Sequence, residues 1–187
     1  TRAEQNQRHN LFHTKGVVKE RFVHVIIDEG SCNNLASMEI VEKISLTTRP
    51  HPHPYYIQWF NNSGKLKVTR TVRVHFSIST YDDYVDCDVV PIQACFLLLG
   101  RPWQFDKKSV HHGRNNQYTL VHKDSHSTLL PMTPESVLKD DTNRANKGKQ
   151  EKNKSENQIA AKEFEQQMKP NSKPSSVASE IKLNSAC

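Results

Sequence analysis

One acidic loop contains residue types that could carry out chemistry. The apolar residues 25–27 lead directly into Asp28, Glu29, Gly30 and Ser31. A carboxyl group at the end of a buried strand is unfavourable unless hydrogen bonds satisfy it. We therefore expect backbone N–H groups near Gly30 to bind Asp28, and the Ser31 hydroxyl to donate to its outer oxygen. A carboxylate held in this way is a candidate for catalysis; the alternative is a simple turn that Asp28 only caps.

The segments around this loop have the composition of β-strands. Residues 22–27 are apolar and β-branched, which is typical of a buried strand. We expect residues 9–13 to pair with them in a hairpin that turns at Lys15 and Gly16. Residues 72–78 alternate between apolar and polar side chains, the pattern of a half-buried strand. The remaining predicted strands are residues 55–60, 66–68, 84–90, 95–99, 118–121 and 127–130.

One short helix is expected among these strands. Ser37 can cap a helix over residues 37–46, and the Pro-rich residues 49–54 end it. Residues 61–64 indicate a hairpin turn, because Gly64 is free to take a positive φ. The sequence therefore predicts an all-β domain with one short helix.

A second motif lies further along the chain. Leu98, Leu99 and Gly100 end an apolar run and are followed by Arg101-Pro102-Trp103. Together with the Asp28 loop and the hairpin between the two motifs, this ordered set resembles the retropepsin family. It is most similar to the proteases of Ty3/gypsy-type retrotransposons of plants. The resemblance places the domain at residues 7–138.

The resemblance implies a fold, an activity and a set of site residues. The fold would be a retropepsin-like closed β-barrel, one half of an acid protease, and the activity would be aspartic endopeptidase processing of a Gag-Pol polyprotein. Asp28 would be the catalytic residue, and Glu29, Gly30 and Ser31 would support its loop. The closing element would be Leu98, Leu99 and Gly100, and the flap over the substrate would contain Trp59, Asn62, Ser63 and Gly64.

The same resemblance implies a homodimer. Aspartic proteases use two carboxyl groups that share one proton, and this sequence contains one Asp-x-Gly-Ser motif. An active enzyme would therefore place Asp28 and its copy at a two-fold axis. The expected partners are a second copy of the chain and a polypeptide substrate. Neither a cofactor nor a metal is implied.

Glu29 departs from the family pattern, which has Thr or Ser after the catalytic Asp. That hydroxyl group usually forms a hydrogen bond across the dimer. A charged Glu29 could repel Asp28, weaken the dimer, or point outward without effect. The alternative function is therefore a catalytically inactive retropepsin-fold domain that serves as a linker or dimerisation module.

Composition limits the other function classes. The chain has 187 residues, a formal net charge of +6 and 35% hydrophobic residues. Residues 139–187 are mainly polar and are expected to form a disordered linker or tail. The cationic side chains are scattered among acidic ones, so nucleic-acid binding by this domain is not expected. With no signal peptide and no apolar membrane span in the sequence, we expect an intracellular protein, in the cytoplasm or in a retroelement particle.

Histidine and cysteine residues offer weaker candidates. His51, His53, His111 and His112 lack the spacing of zinc ligands and are interpreted as ordinary loop residues. Cys32 lies beside the acidic loop, but no histidine partner for a thiol nucleophile is evident. We expect Cys32 to be a small buried residue.

Overall fold

The computed structural model describes residues 10–58, 64–143 and 146. The described residues up to 142 form one compact unit. Within the described residues, the elements in chain order are β1 (Phe12–Val18), β2 (Arg21–Ile27), β3 (Leu35–Ser37), α1 (Met38–Lys43), β4 (Thr48–Gln58), β5 (Lys65–Ile78), β6 (Tyr81–Val90), β7 (Leu97–Leu99), α2 (Arg101–Asp106), β8 (Val110–His112), β9 (Gln117–His122) and β10 (Ser125–Leu129). Residues 134–143 form a further helix, α3.

Seven strands form one sheet in the order β1-β2-β7-β3-β6-β5-β4. The sheet closes on itself because β1 also pairs with β5, at Val17 and Ser77. This pairing closes the strands from β1 to β5 into a barrel, and β4 remains as an edge strand beside β5. Strand β7 runs parallel to β2 and antiparallel to β3, so it lies in the middle of the sheet. The remaining strands form a second, antiparallel sheet in the order β10-β9-β8.

The alternating pattern of residues 72–78 is confirmed in β5. Val72, Val74, Phe76 and Ile78 are all at most 4% exposed, as expected for the inward face of a strand with a two-residue period. These side chains join the inward residues of β2, β6 and β7 in one hydrophobic core. The core therefore lies inside the closed sheet, below the end of β2 that carries the acidic loop.

The first hairpin is confirmed, but its turn is not at Lys15 and Gly16. Strands β1 and β2 pair as far as Val18 and Arg21, and the two residues between them have φ values of 46° and 63°, as in a tight hairpin turn. Gly16 instead lies inside β1, where an added Cβ would come within 3.2 Å of the Ser77 carbonyl oxygen. This glycine allows β1 to approach β5 and the barrel to close.

The Pro-rich residues 49–54 were predicted only as the stop after the helix, but they belong to β4. This strand lies at the edge of the sheet, where a missing proline N–H group is tolerated. The pairing with β5 shifts register between Pro50 and Tyr55. Helix α1 is shorter than predicted, and its cap is confirmed because Ser37 Oγ accepts a hydrogen bond from Ile40 N at 3.1 Å.

Helices α2 and α3 were not predicted. The boundary expected after Leu138 falls inside α3, where Asp140 lies 3.5 Å from Lys15. Residues 147–187, most of the expected tail, lie outside the described residues. Over the described ranges, we find no helix with the length and apolar character needed to cross a membrane.

Candidate active site

Asp28 lies directly after β2, at the mouth of the sheet. Its backbone N–H donates to the Leu99 carbonyl oxygen at 3.0 Å, which extends the pairing of β2 with β7 by one residue. The expected backbone hydrogen bond to its carboxylate is present, because Gly30 N donates to Asp28 Oδ1 at 2.9 Å. The carboxyl group is half-buried, so the loop orients it and leaves it accessible.

The hydrogen bond expected from the Ser31 hydroxyl to the Asp28 carboxylate is not formed. Ser31 Oγ donates to the Asn33 carbonyl oxygen at 2.8 Å, and not to Asp28. The reason is local, since the Ser31 N–H group donates to the Asp28 carbonyl oxygen and this turn carries the Ser31 side chain towards the following residues. Ser31 therefore stiffens the loop and does not contact the carboxylate.

Leu99 and Gly100 of the predicted closing element are hydrogen-bonded to the acidic loop and the residues that follow it. Gly100 N donates to Asn34 Oδ1 at 2.9 Å, and Arg101 N donates to the Ser31 carbonyl oxygen at 2.9 Å. A Cβ atom at Gly100 would lie 2.4 Å from the Asn33 carbonyl oxygen and 2.8 Å from that of Ser31. Only glycine fits between these backbone atoms, so the closing element and the acidic loop form one unit.

The hairpin predicted as a flap is present up to its tip. Gln58 pairs with Lys65 at the ends of β4 and β5, and Gly64 has a φ of 97°. Its predicted contact residues Trp59, Asn62 and Ser63 lie outside the described residues.

A polar chain connects the base of this hairpin to the acidic loop. Asn33 Nδ2 donates to Tyr55 Oη at 2.8 Å, and Tyr55 Oη donates to Asp88 Oδ2 at 2.5 Å. Burial and the hydrogen bond to Asp88 raise the pKa of Tyr55 well above its usual value, so the hydroxyl remains a donor. His51 Nε2 lies 3.3 Å from the other oxygen of Asp88. The position of β4 is thereby linked to the loop that carries Asp28.

Glu29 points towards the second sheet of its own chain. Tyr118 Oη donates to Glu29 Oε1 at 3.3 Å, and His111 Nδ1 lies 3.2 Å from the same oxygen. Burial and the negative charges of Glu29 and Asp28 raise the pKa of Tyr118 well above its usual value. The tyrosine thus remains protonated and can donate.

Sequence reasoning missed His111 and Tyr118 as residues of the site. The alternation of polar and apolar side chains in residues 117–122 could have identified Tyr118, because it predicts that this side chain faces inward. The pairing of His111 with Tyr118 depends on the three-residue strand β8, which is too short to leave a periodic pattern. The same two residues, with Asp28, Glu29 and Phe12, line a small depression beside the loop.

Cys32 is exposed, so the expectation that it is buried is wrong. The chain leaves the core after Ile27 and returns to it only at Ala36, which places Cys32 on the outside of the loop. Cys87 and Cys95 are buried, and burial raises the pKa of the Cys87 thiol. Within residues 10–58 and 64–143, no three His, Cys, Asp or Glu side chains are grouped closely enough to hold a metal ion.

The fold is similar to that of a solved protease-like domain. A crystal structure of the retroviral protease-like domain of Ddi1 from Leishmania major matches with a TM-score of 0.50 and 11% sequence identity, over 67% of this chain and 97% of that one. At this identity the likeness shows the fold alone. The chain has a retropepsin-like, mostly β fold. No protein-family model and no curated protein matches the sequence.

Proposed function

We propose that the chain is an aspartic endopeptidase of the retropepsin type that acts as a homodimer with Asp28 as its catalytic residue. The observation that carries this proposal is the joined loop and closing element. Asp28 is oriented by the Gly30 N–H group, and its loop is fixed by backbone bonds to Leu99 and Arg101. A loop held in this way keeps a carboxyl group in one position at the mouth of the sheet.

The chemistry requires two such carboxyl groups. In the proposed dimer, Asp28 and its copy share one proton, because two close carboxylates cannot both ionise. The ionised carboxylate takes a proton from a bound water, whose oxygen attacks the carbonyl carbon of the substrate. The protonated carboxyl group donates to the carbonyl oxygen. The carboxyl group that took the proton from water then gives it to the nitrogen, and the C–N bond breaks. The other carboxylate takes back a hydroxyl proton as the C=O bond re-forms, so the pair again shares one proton.

The β4–β5 hairpin supports the proposal of a flap. Its described strands pair as far as Gln58 and Lys65, and Tyr55 at its base contacts Asn33 of the acidic loop. A flap that closes over a peptide excludes water from the reaction. We expect Trp59, Asn62, Ser63 and Gly64 to contact the substrate.

The order of motifs supports a more specific proposal. The Asp28 loop, the hairpin and the Leu98-Leu99-Gly100-Arg101-Pro102-Trp103 segment follow one another as in proteases of plant Ty3/gypsy-type retrotransposons. We therefore propose that the substrate is a retroelement polyprotein and that the domain works inside the cell.

Glu29 favours a second candidate, a retropepsin-fold domain without activity that acts as a linker or dimerisation module. Glu29 occupies the position of the usual hydroxyl residue, and its carboxylate contacts Tyr118 of the same chain. A loop without the cross-dimer hydroxyl contact would give a weaker dimer. The two candidates differ in whether the dimer cleaves peptide bonds.

The test is cleavage of an unfolded protein at mildly acidic pH by the purified chain. We expect cleavage that an Asp28→Asn variant and a pepstatin-type inhibitor both abolish. The matched control is Asp82→Asn, because Asp82 is exposed on β6 and should leave cleavage unchanged. At low protein concentration, the cleavage rate should rise more steeply than in proportion to the concentration of the chain, because two chains form one active site. Absence of cleavage at concentrations where sedimentation shows a dimer would favour the module without activity.

A further inference from the structure

Two side chains contact the carboxylate that departs from the family pattern, and a third holds one of those two in place. Glu29 belongs to the acidic loop, while His111 lies on β8, Tyr118 on β9 and Asn116 in the turn between those strands. We call Glu29, His111, Asn116 and Tyr118 the Glu29 clamp. None of the three hairpin residues was singled out as functional in the sequence, and the reaction proposed above does not use them.

The clamp is built on a stacked pair of rings. His111 and Tyr118 face each other across the β8–β9 pairing, with ring centroids 4.5 Å apart and an interplanar angle of 11°. Both rings direct a polar atom at Glu29 Oε1, at 3.2 Å for His111 Nδ1 and 3.3 Å for Tyr118 Oη. Phe12 packs edge-on against Tyr118, which fixes the ring from the other sheet.

Asn116 fixes the other side of the histidine ring. His111 Nε2 lies 2.9 Å from Asn116 Oδ1. Asn116 Nδ2 donates to the carbonyl oxygens of Asn10 and Leu11, each at 3.4 Å, so the amide must present its oxygen to the ring. Asn116 is 2% exposed and has a φ of 53°, a conformation that asparagine tolerates better than most residues.

Both nitrogens of His111 thus face oxygen atoms. A ring with a proton on each nitrogen donates to both oxygens, whereas a neutral ring donates to one. The titratable groups around the ring are Glu29 and Asp28 of the loop and Tyr118 of β9. In its charged form, the ring places a positive charge directly against the Glu29 carboxylate.

We propose that the β8–β9 hairpin positions Glu29 away from the Asp28 pair and that His111 and Tyr118 are its positioning residues. This inference rests on the proposed function. A free Glu29 carboxylate beside the two aspartates would disfavour the ionised form that activates water. Held by the clamp, Glu29 braces the loop from within its own chain and leaves the carboxyl pair undisturbed.

The first test is a double-mutant cycle on cleavage. Contacting residues typically couple by about 0.5–3 kcal/mol, so we expect His111→Ala to lower kcat/KM by about tenfold. The acidic side of the pH profile of kcat/KM should also shift to higher pH, because a free Glu29 carboxylate disfavours the ionised form of the Asp28 pair. In a Glu29→Gln background the same substitution should change kcat/KM less than about twofold, because no charge remains to be positioned. Equal losses in both backgrounds would mean that His111 acts only on general stability, and would overturn the inference.

The second test does not depend on cleavage. Amide hydrogen exchange at Gly30 and Ser31 should accelerate by about tenfold in Tyr118→Phe, which keeps the ring stack but removes the hydroxyl. The matched control is His112→Ala, since His112 Nε2 contacts Thr119 Oγ1 at 2.9 Å and not Glu29. Unchanged exchange in both Tyr118→Phe and His111→Ala would overturn the clamp. If exchange accelerates in these variants but the wild-type chain shows no cleavage, the proposed role of the clamp stands and the proposed protease activity is rejected.

Discussion

The closest backbone approach beside the candidate site gives the sharpest prediction, which concerns Gly100→Ala. The added Cβ would lie 2.4 Å from the Asn33 carbonyl oxygen and 2.8 Å from that of Ser31, so the acidic loop must move away from the closing element. Relief of such an overlap costs about 1–3 kcal/mol. The movement also weakens the hydrogen bonds from Gly100 N to Asn34 Oδ1 and from Arg101 N to the Ser31 carbonyl oxygen, each contributing about 0.5–1.5 kcal/mol.

We therefore expect Gly100→Ala to lose about 2–6 kcal/mol of unfolding free energy, a large share of the 5–15 kcal/mol typical of a native domain. Urea unfolding measures this loss, as a lower midpoint at an unchanged slope. Cleavage at concentrations where the variant is still folded should fall as well, because Asp28 moves with the loop.

Gly113→Ala is the matched control. Nothing lies within 4 Å of a Cβ atom at Gly113, and its φ is not in the left-handed region. The same chemical change should therefore shift stability by no more than about 1 kcal/mol in either direction. A Gly100→Ala variant within about 0.5 kcal/mol of the wild type would refute the reasoning that the two segments form one rigid unit.

Two further predictions concern hydrogen-bonded polar side chains. Tyr55→Phe removes the hydroxyl that joins Asn33 to Asp88, and should lower the unfolding free energy by about 1–3 kcal/mol in urea titrations; an unchanged midpoint would contradict the link between β4 and the loop. Burial opposes the ionisation of Asp83, but hydrogen bonds, chiefly from Lys107, lower its pKa. The ionised Asp83 therefore stabilises the fold above about pH 4 and loses this effect as the pH falls through its lowered pKa, so Asp83→Asn should flatten the acid side of a stability-versus-pH curve.

The strands were largely predictable from the sequence because their signals are local. The alternation of residues 72–78 depends only on which side chains face the core, and β5 follows it. The apolar run that ends at Gly100 indicates a buried strand without reference to any partner. The order of the acidic loop, the hairpin and the closing element was sufficient to predict the retropepsin-like fold.

What the sequence did not reveal depends on contacts between distant residues. Gly16 has the appearance of a turn residue, and only the pairing of β1 with β5 explains why a glycine is needed inside a strand. Ser31 has two possible acceptors within its own loop, and the turn geometry decides between them. The partners of Glu29 lie on β8 and β9, and the three-residue β8 gives no pattern by which its register with β9 can be predicted.

These contacts change how Glu29 should be interpreted. Seen alone, a carboxylate in place of a hydroxyl residue next to the candidate catalytic aspartate indicates a damaged site. In the structure, the acidic loop is bound on three sides by its own chain: by β7 and the residues after it, by Tyr55 through Asn33, and by His111 and Tyr118 through Glu29. A loop braced in this way does not need a hydroxyl contact from a second chain to keep its shape. Glu29 lacks only the hydroxyl group that would form a hydrogen bond to the second chain of the proposed dimer. Glutamate at this position therefore affects the strength of that dimer more directly than it affects the chemistry of Asp28.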